Sequence, residues 1–211
     1  MRYMFNNCNS LKELNLTNFN TINVTDMSSM FSGCSLLKEL NLSNFNTSNI
    51  TDMEKIFYGC ESLEKLNISN FNTNKVFSMI AMFDSCLSLK SIELSNFNTH
   101  NVIYMNSMFY SCKSLKELNL SNFNTNRVEK MSKMFSLCSS LEKLNLSGFN
   151  TDKVEDMICM FSKCSSLKEL NISNFKINKE SIVDSMFQGC SAHLITEIKN
   201  KYEYLYEEAF Q

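Results

Sequence analysis

Cysteine recurs every 26 residues through the whole chain: Cys8, Cys34, Cys60, Cys86, Cys112, Cys138, Cys164 and Cys190 keep the spacing without a slip. Phe5, Phe31, Phe57, Phe83, Phe109, Phe135, Phe161 and Phe187 sit three residues ahead of each cysteine in the same register. A fixed period in the twenties is the mark of a solenoid, in which each repeat forms one coil and buries its apolar face only against its neighbours. The 211 residues therefore read as one array of about eight coils, where length alone would allow one or two domains.

One coil, Cys8 through Gly33, shows the design. From Leu14 onward Leu11-Lys12-Glu13-Leu14-Asn15-Leu16-Thr17 alternates as a half-buried strand does, with Leu14 and Leu16 inward and Glu13, Asn15 and Thr17 outward. Asn18-Phe19-Asn20-Thr21 reads as a turn with one aromatic plug. Val24, Met27, Met30, Phe31 and Cys34 then recur by three, three, one and three, which predicts a short helix or 3-10 segment with Thr25 and Asp26 at its start. Gly33, Gly59 and Gly189 are placed to supply a permissive backbone before the next strand.

Stacking such coils aligns like with like. The strands should form one parallel sheet with a spacing of about 4.8 Å on the concave face, and the bulkier segments should lie on the convex face. The Phe5 column and the Phe19, Phe45, Phe71, Phe97, Phe123, Phe149, Phe175 column should form two aromatic spines. Two Asn columns flank the second spine, beginning at Asn18 and Asn20, and one is expected to run as a ladder satisfying turn backbone groups. The fold class is thus an α/β repeat solenoid.

Met-Phe-x-x-Cys-x-x-Leu-Lys-x-Leu-x-Leu-Ser-Asn-Phe-Asn-Thr-x-x-Val, cleanest at 4–24, 30–50 and 108–128, resembles the BspA-type leucine-rich repeat of bacterial and protozoan surface proteins. Phe stands where the common leucine-rich pattern has Asn, which fits that branch. The resemblance implies a curved leucine-rich-repeat array, attachment or partner binding as the function, and a place at the cell surface or outside the cell. The N-terminus Met-Arg-Tyr-Met-Phe carries no apolar signal region, which keeps an intracellular location as the alternative.

The ends differ from the middle. The Leu pattern stops after Cys190, and Leu194, Ile198, Leu205 and Phe210 suggest an amphipathic helix covering the last coil. The expected organisation is a solenoid over 1–190, its first coil incomplete, and a capping helix over 191–211. The first coil has no such cover, which suggests truncation or self-association through that end.

Little in the chain suggests chemistry. Twenty basic against 22 acidic residues give a net charge of −2 with no block of like charge, so nucleic acid is not an expected partner. No apolar run approaches the ~20 residues of a membrane span, so no direct membrane insertion is expected. Eight of the nine cysteines share one repeat position and read as a buried row, with Cys159–Cys164 the only close pair and no zinc spacing. Cys159 occupies a column otherwise holding Ser29, Lys55, Ala81, Ser107, Lys133 and Ser185 and should be the one exposed thiol. The methionines fall in core-facing columns, His100 and His193 lie far apart, and four scattered glycines make no phosphate loop. No catalytic residue, metal or cofactor is expected.

The outward positions of the sheet remain. Glu39, Asn41, Lys65, Asn67, Ser91, Glu93, Glu117, Asn119, Lys143 and Asn145 are the candidate contacts to a protein or glycan, although the same residues suit a solvated face. Replacing Asn67, Glu93 and Asn119 by Ala is expected to weaken such binding and leave folding intact. Asn41-Leu42-Ser43 and its equivalents match the glycosylation sequon, as the repeat composition alone would produce. The expected function is a non-catalytic binding scaffold for adhesion or surface interaction, with an intracellular scaffold or a structural self-associating array as alternatives.

Overall fold

The computed structural model describes residues 1–177, 181–202, 205 and 207–211. Each coil is tied to the next by backbone hydrogen bonds, which run toward the following coil through the turns ahead of each cysteine and toward the preceding coil at sites such as Thr51, Glu64 and Phe77. In the second coil Ser29, Phe31 and Gly33 donate to the carbonyls of Glu54, Ile56 and Tyr58 at 2.9, 3.0 and 2.7 Å. Between these, Met30, Ser32 and Cys34 donate to Met27, Ser29 and Phe31, three residues back in their own coil. Local and inter-coil bonds thus alternate residue by residue.

This alternation replaces the short helix or 3-10 segment expected on the convex face. The three-residue spacing of Met27, Met30, Phe31 and Cys34 arises from chained turns that keep all four side chains fully buried. A helix is excluded because two residues per coil are left-handed: Ser29 (φ 54°) and Gly33 (φ 74°), then Lys55 and Gly59, then Ala81 and Ser85. The glycines therefore sit where expected, yet the same position also holds Ser111, Leu137 and Lys163 at positive φ.

The strands are short: β1 (Glu39–Asn41), β2 (Lys65–Asn67), β3 (Glu117–Asn119), β4 (Lys143–Asn145) and β5 (Glu169–Asn171). They pair in parallel and in register, Leu40 with Leu66 and Leu118 with Leu144 with Leu170. The single continuous sheet expected from the repeat is instead split into a pair, β1-β2, and a triplet, β3-β4-β5. The break is the coil between them, where Ser91-Ile92-Glu93 replaces the Glu/Lys-Leu-Asn of its neighbours. The ladder that never breaks lies about half a coil away, through Asp26, Asp52, Ser78, Tyr104, Lys130, Asp156 and Ile182. We call these two sides the strand face and the bridge face.

The Phe5 spine forms from end to end, and the Phe19 spine forms in two sections, Phe19–Phe45 and Phe97 to Phe175. In the Phe5 column consecutive rings lie 5.3–6.0 Å apart and nearly parallel. In the Phe19 column, Phe97, Phe123, Phe149 and Phe175 stack at 6.3–6.5 Å. The two Asn columns divide their work. Asn44, Asn96 and Asn122 reach back to carbonyls of the preceding coil, forming the expected ladder. Asn46, Asn72 and Asn124 instead accept from the N–H two residues on, closing local turns. Gly148 interrupts the first column because a Cβ there would lie 2.1 Å from the Ser121 carbonyl oxygen.

Between these columns runs a threonine clip that the repeat analysis did not single out. Thr99 Oγ1 donates to the Asn124 carbonyl at 2.9 Å and accepts from the Asn124 N–H at 2.8 Å. Thr21, Thr47, Thr73, Thr125 and Thr151 do the same to the following coil. All six are 0–2% exposed, because a hydroxyl with both bonds made can be buried cheaply.

The C-terminal cover is only partly helical. Helix α1 (Ala192–Lys201) is capped by Ser191, buries Leu194 and Ile198, and ends at Tyr202, whose hydroxyl donates to the Ile172 carbonyl at 2.9 Å. The longer helix expected from Leu205 and Phe210 does not form, and residues 203, 204 and 206 lie outside the described residues. Residues 207–210 instead act as one more rung. Ser185 and Phe187 donate to the carbonyls of Glu208 and Ala209, and the Phe210 ring stacks on Phe187 at 5.6 Å. This segment occupies N–H donors of the last coil, so a head-to-tail stack of copies would have to displace it; self-association through the first coil alone would not.

Thr99→Val keeps the shape and orphans two backbone groups of Asn124. We expect a loss of about 1–3 kcal/mol per group in urea unfolding, with Thr99→Ser recovering most of it. Equal stability of the Val variant would show that the clip is dispensable.

Candidate functional site

The strand face carries two open grooves, one over each section of sheet. The first, about 1140 Å³, is lined by Glu39, Asn41, Lys65, Asn67, Ser91 and Glu93 among others. The second, about 680 Å³, is lined by Glu117, Asn119, Lys143 and Asn145 together with β5. All ten candidate residues therefore line a groove. They do not share one, because the split at Ser91–Glu93 divides the face.

The side chains differ in what they can offer a partner. Asn41, Asn67, Asn119 and Asn145 each accept, through Oδ1, the N–H of the serine two residues on, at 3.0–3.2 Å. Glu93 does the same for Ser95 through Oε1 at 2.8 Å, and this bond holds its carboxyl below the ordinary value. These residues close the strand into its turn, so replacing Asn67, Glu93 and Asn119 by Ala removes three turn closures as well as three candidate contacts. Only the NH2 of each amide remains to serve a partner.

The charged residues are exposed and paired along the stack. Lys65 hydrogen-bonds Glu39, and Lys143 lies 3.3 Å from Glu169 and 4.0 Å from Glu117. Both ammonium groups are held above their ordinary value by these carboxylates. Exposed pairs of this kind exchange readily for contacts with a ligand, since water already weakens them. Lys168 and Glu142 form another such pair at 3.0 Å beside the second groove.

Two contributors escaped the sequence reading. Leu36 is 45% exposed in the first groove, at a position where the other coils carry serine, and the half-buried Leu14, Leu66 and Ile92 extend this apolar strip. Glu197 reaches the second groove from α1. The Leu36 departure was visible as a broken serine column. Glu197 was not, because only the tertiary fold brings the cap helix to the sheet.

The cysteine row is a structural device. Seven thiols, from Cys34 to Cys190, each donate to the carbonyl of the phenylalanine 29 residues earlier, at 3.0–3.3 Å. Burial pushes these thiols up, to about 11 at Cys34 and about 12 at Cys138 and Cys190, so they stay protonated near neutral pH. Cys159 is half-buried, less open than expected, and Cys8 matches it. Among the described residues no group of three or more His, Cys, Asp or Glu is placed to hold a metal ion.

The stacked grooves and in-register coils can now be set against known proteins. Residues 1–92 and 82–200 match the family described as "Mycoplasma protein of unknown function, DUF285". The chain belongs to that family. Comparison with curated protein sequences finds no match. Among solved structures, a leucine-rich repeat protein of T. pallidum superposes with a TM-score of 0.60 at 23% identity, over 89% of this chain and 80% of that one. A Bacteroides ovatus leucine-rich repeat protein gives 0.47 at 18% identity, over 79% of this chain and 45% of that one. The T. pallidum likeness shows that this DUF285 member is a leucine-rich repeat solenoid.

Two outcomes follow. Native thiol titration should find two groups reacting ahead of the rest, Cys8 and Cys159, and seven that react only on unfolding; fast reaction of the row would contradict its burial. In urea, Asn67→Ala and Asn119→Ala should each lose roughly 0.5–1.5 kcal/mol through the missing turn closure, whereas Lys65→Met and Lys143→Met should leave the midpoint unchanged.

Proposed function

We propose that this protein is a non-catalytic binding scaffold whose strand face holds a protein or glycan partner. The observation that carries the reading is the pair of open grooves, with exposed carboxylates and ammonium groups on their walls and an apolar strip, Leu36 to Ile92, in the first. Repetition along the stack lets many weak contacts add. The resemblance to BspA-type repeats supports a role in attachment at the cell surface. No helix among the described residues is long and apolar enough to cross a membrane. The nine free thiols support a second reading, an intracellular interaction scaffold, since unpaired cysteines are commonest in reducing compartments.

Labelled protein should be tested on glycan arrays and on immobilised host matrix proteins, with Leu36→Asp and Ser91→Arg as groove variants. Both positions lie outside the turn closures, so the variants should fold and lose at least tenfold in affinity. Wild-type affinity in both would remove the first groove from the proposal. Protease shaving of intact cells separates the two locations: peptides released without lysis support the surface reading, and protection until lysis supports the other.

A further inference from the structure

The bridge face carries an apolar patch that the fold does not require. The position after the buried valine or isoleucine holds Thr25, Thr51, Glu129 and Glu155 in four coils, but Phe77 and Ile103 in the two central ones. The next position holds Asp26, Asp52, Lys130 and Asp156, but Ser78 and Tyr104 in those same coils and an exposed Ile182 in the last. The backbone bonds there are the same whatever the side chain: Phe77 donates to Thr51 at 2.9 Å, Ile103 to Phe77 at 2.9 Å, and Glu129 to Ile103 at 3.0 Å. Phe77 is 41% exposed and Ile103 and Tyr104 are half-exposed, so their apolar surface adds little to the core. Beneath them the Ser78 hydroxyl is 3% exposed and has no hydrogen-bond partner, whereas Asp26, Asp52 and Asp156 each accept an N–H two residues on. The central coils have given up a polar, satisfied surface for an apolar one.

The two coils flanking the patch carry opposite net charge, Asp52, Glu54 and Lys55 on one and Glu129, Lys130 and Lys133 on the other. Asp52 and Glu54 lie on the coil before it, with Glu54 paired to Lys55 at 2.8 Å. Lys130 and Lys133 lie exposed on the coil after it. We propose that the patch binds a second copy of this chain, in an antiparallel dimer whose two-fold axis crosses the stack between the coils of Phe77 and Ile103. That symmetry places Phe77 of one copy on Ile103 of the other and Asp52 opposite Lys130. A parallel pair would set Asp52 on Asp52 and Lys130 on Lys130. One like-charged pair remains in the antiparallel arrangement, Asp26 with Asp156, and Arg2, 3.9 Å from Asp26, offsets it. None of the residues of this contact lines either groove, so the dimer leaves the grooves of both copies open. It would present the proposed binding surface twice, with the gain in avidity that bivalence brings.

A contact centred on three apolar side chains per copy is small, and interfaces of that size are transient. Sedimentation velocity over a concentration series up to about 1 mM is therefore the measurement, since a weaker contact would be worth less than about 4 kcal/mol. The weight-average mass should rise toward twice the monomer, less so in high salt. Phe77→Asp and Ile103→Asp should stay monomeric with an unchanged melting curve. Lys130→Glu should weaken the dimer and Asp52→Lys with Lys130→Glu should restore it. A wild-type chain monomeric throughout, or dimerisation retained by Phe77→Asp, would overturn the proposal. Failure of the double charge reversal to restore it would overturn the antiparallel arrangement.

Discussion

The coil-to-coil backbone hydrogen bond is the constraint on which the rest of this structure depends. Every coil donates N–H groups to the carbonyls of the next coil, as Ser29, Phe31 and Gly33 do to Glu54, Ile56 and Tyr58. A repeated ladder of this kind works only if consecutive coils have the same length, so the period of 26 cannot drift. The same ladder stacks equivalent side chains, which turns one phenylalanine per coil into a spine. It also puts one threonine hydroxyl within reach of the same backbone groups in every following coil. Left-handed residues such as Ser29 and Lys55 keep the ladder open, because they turn alternate N–H groups out of the coil toward the neighbour.

The two faces carry different burdens. The bridge face holds the unbroken ladder and so maintains the stack. The strand face is therefore free to be interrupted, and at Ser91-Ile92-Glu93 it is. That interruption leaves Ile92 half-exposed in the first groove, while the Phe57–Phe83–Phe109 stack beneath runs on unbroken. Polar groups on this face are partly committed to the fold, as the asparagines that close each strand show, while the exposed ion pairs remain exchangeable. A binding surface can thus vary from coil to coil on a core that does not.

Much of this was legible in the residues. The two aromatic columns, the buried cysteine row and the asparagine ladder follow from register alone, since in-register stacking makes any conserved spacing a line in space. The three-residue spacing of Met27, Met30, Phe31 and Cys34 misled, because chained turns and a helix bury side chains at the same interval. Only the positive φ at Ser29, a residue with no special preference for it, separates the two. Phe210 also fell outside the pattern: it completes the first spine from a segment with no repeat sequence, by folding back on Phe187.

By itself the sequence determined the solenoid, its period and which columns face the core, because those depend on spacing repeated many times over. The tertiary structure alone decided where the sheet breaks, how the last coil is covered, and that the strand-face asparagines close turns. Each of these turns on one local geometry, a Ser91-Ile92-Glu93 coil left out of the ladder or an Oδ1 within reach of an N–H, that no periodicity encodes.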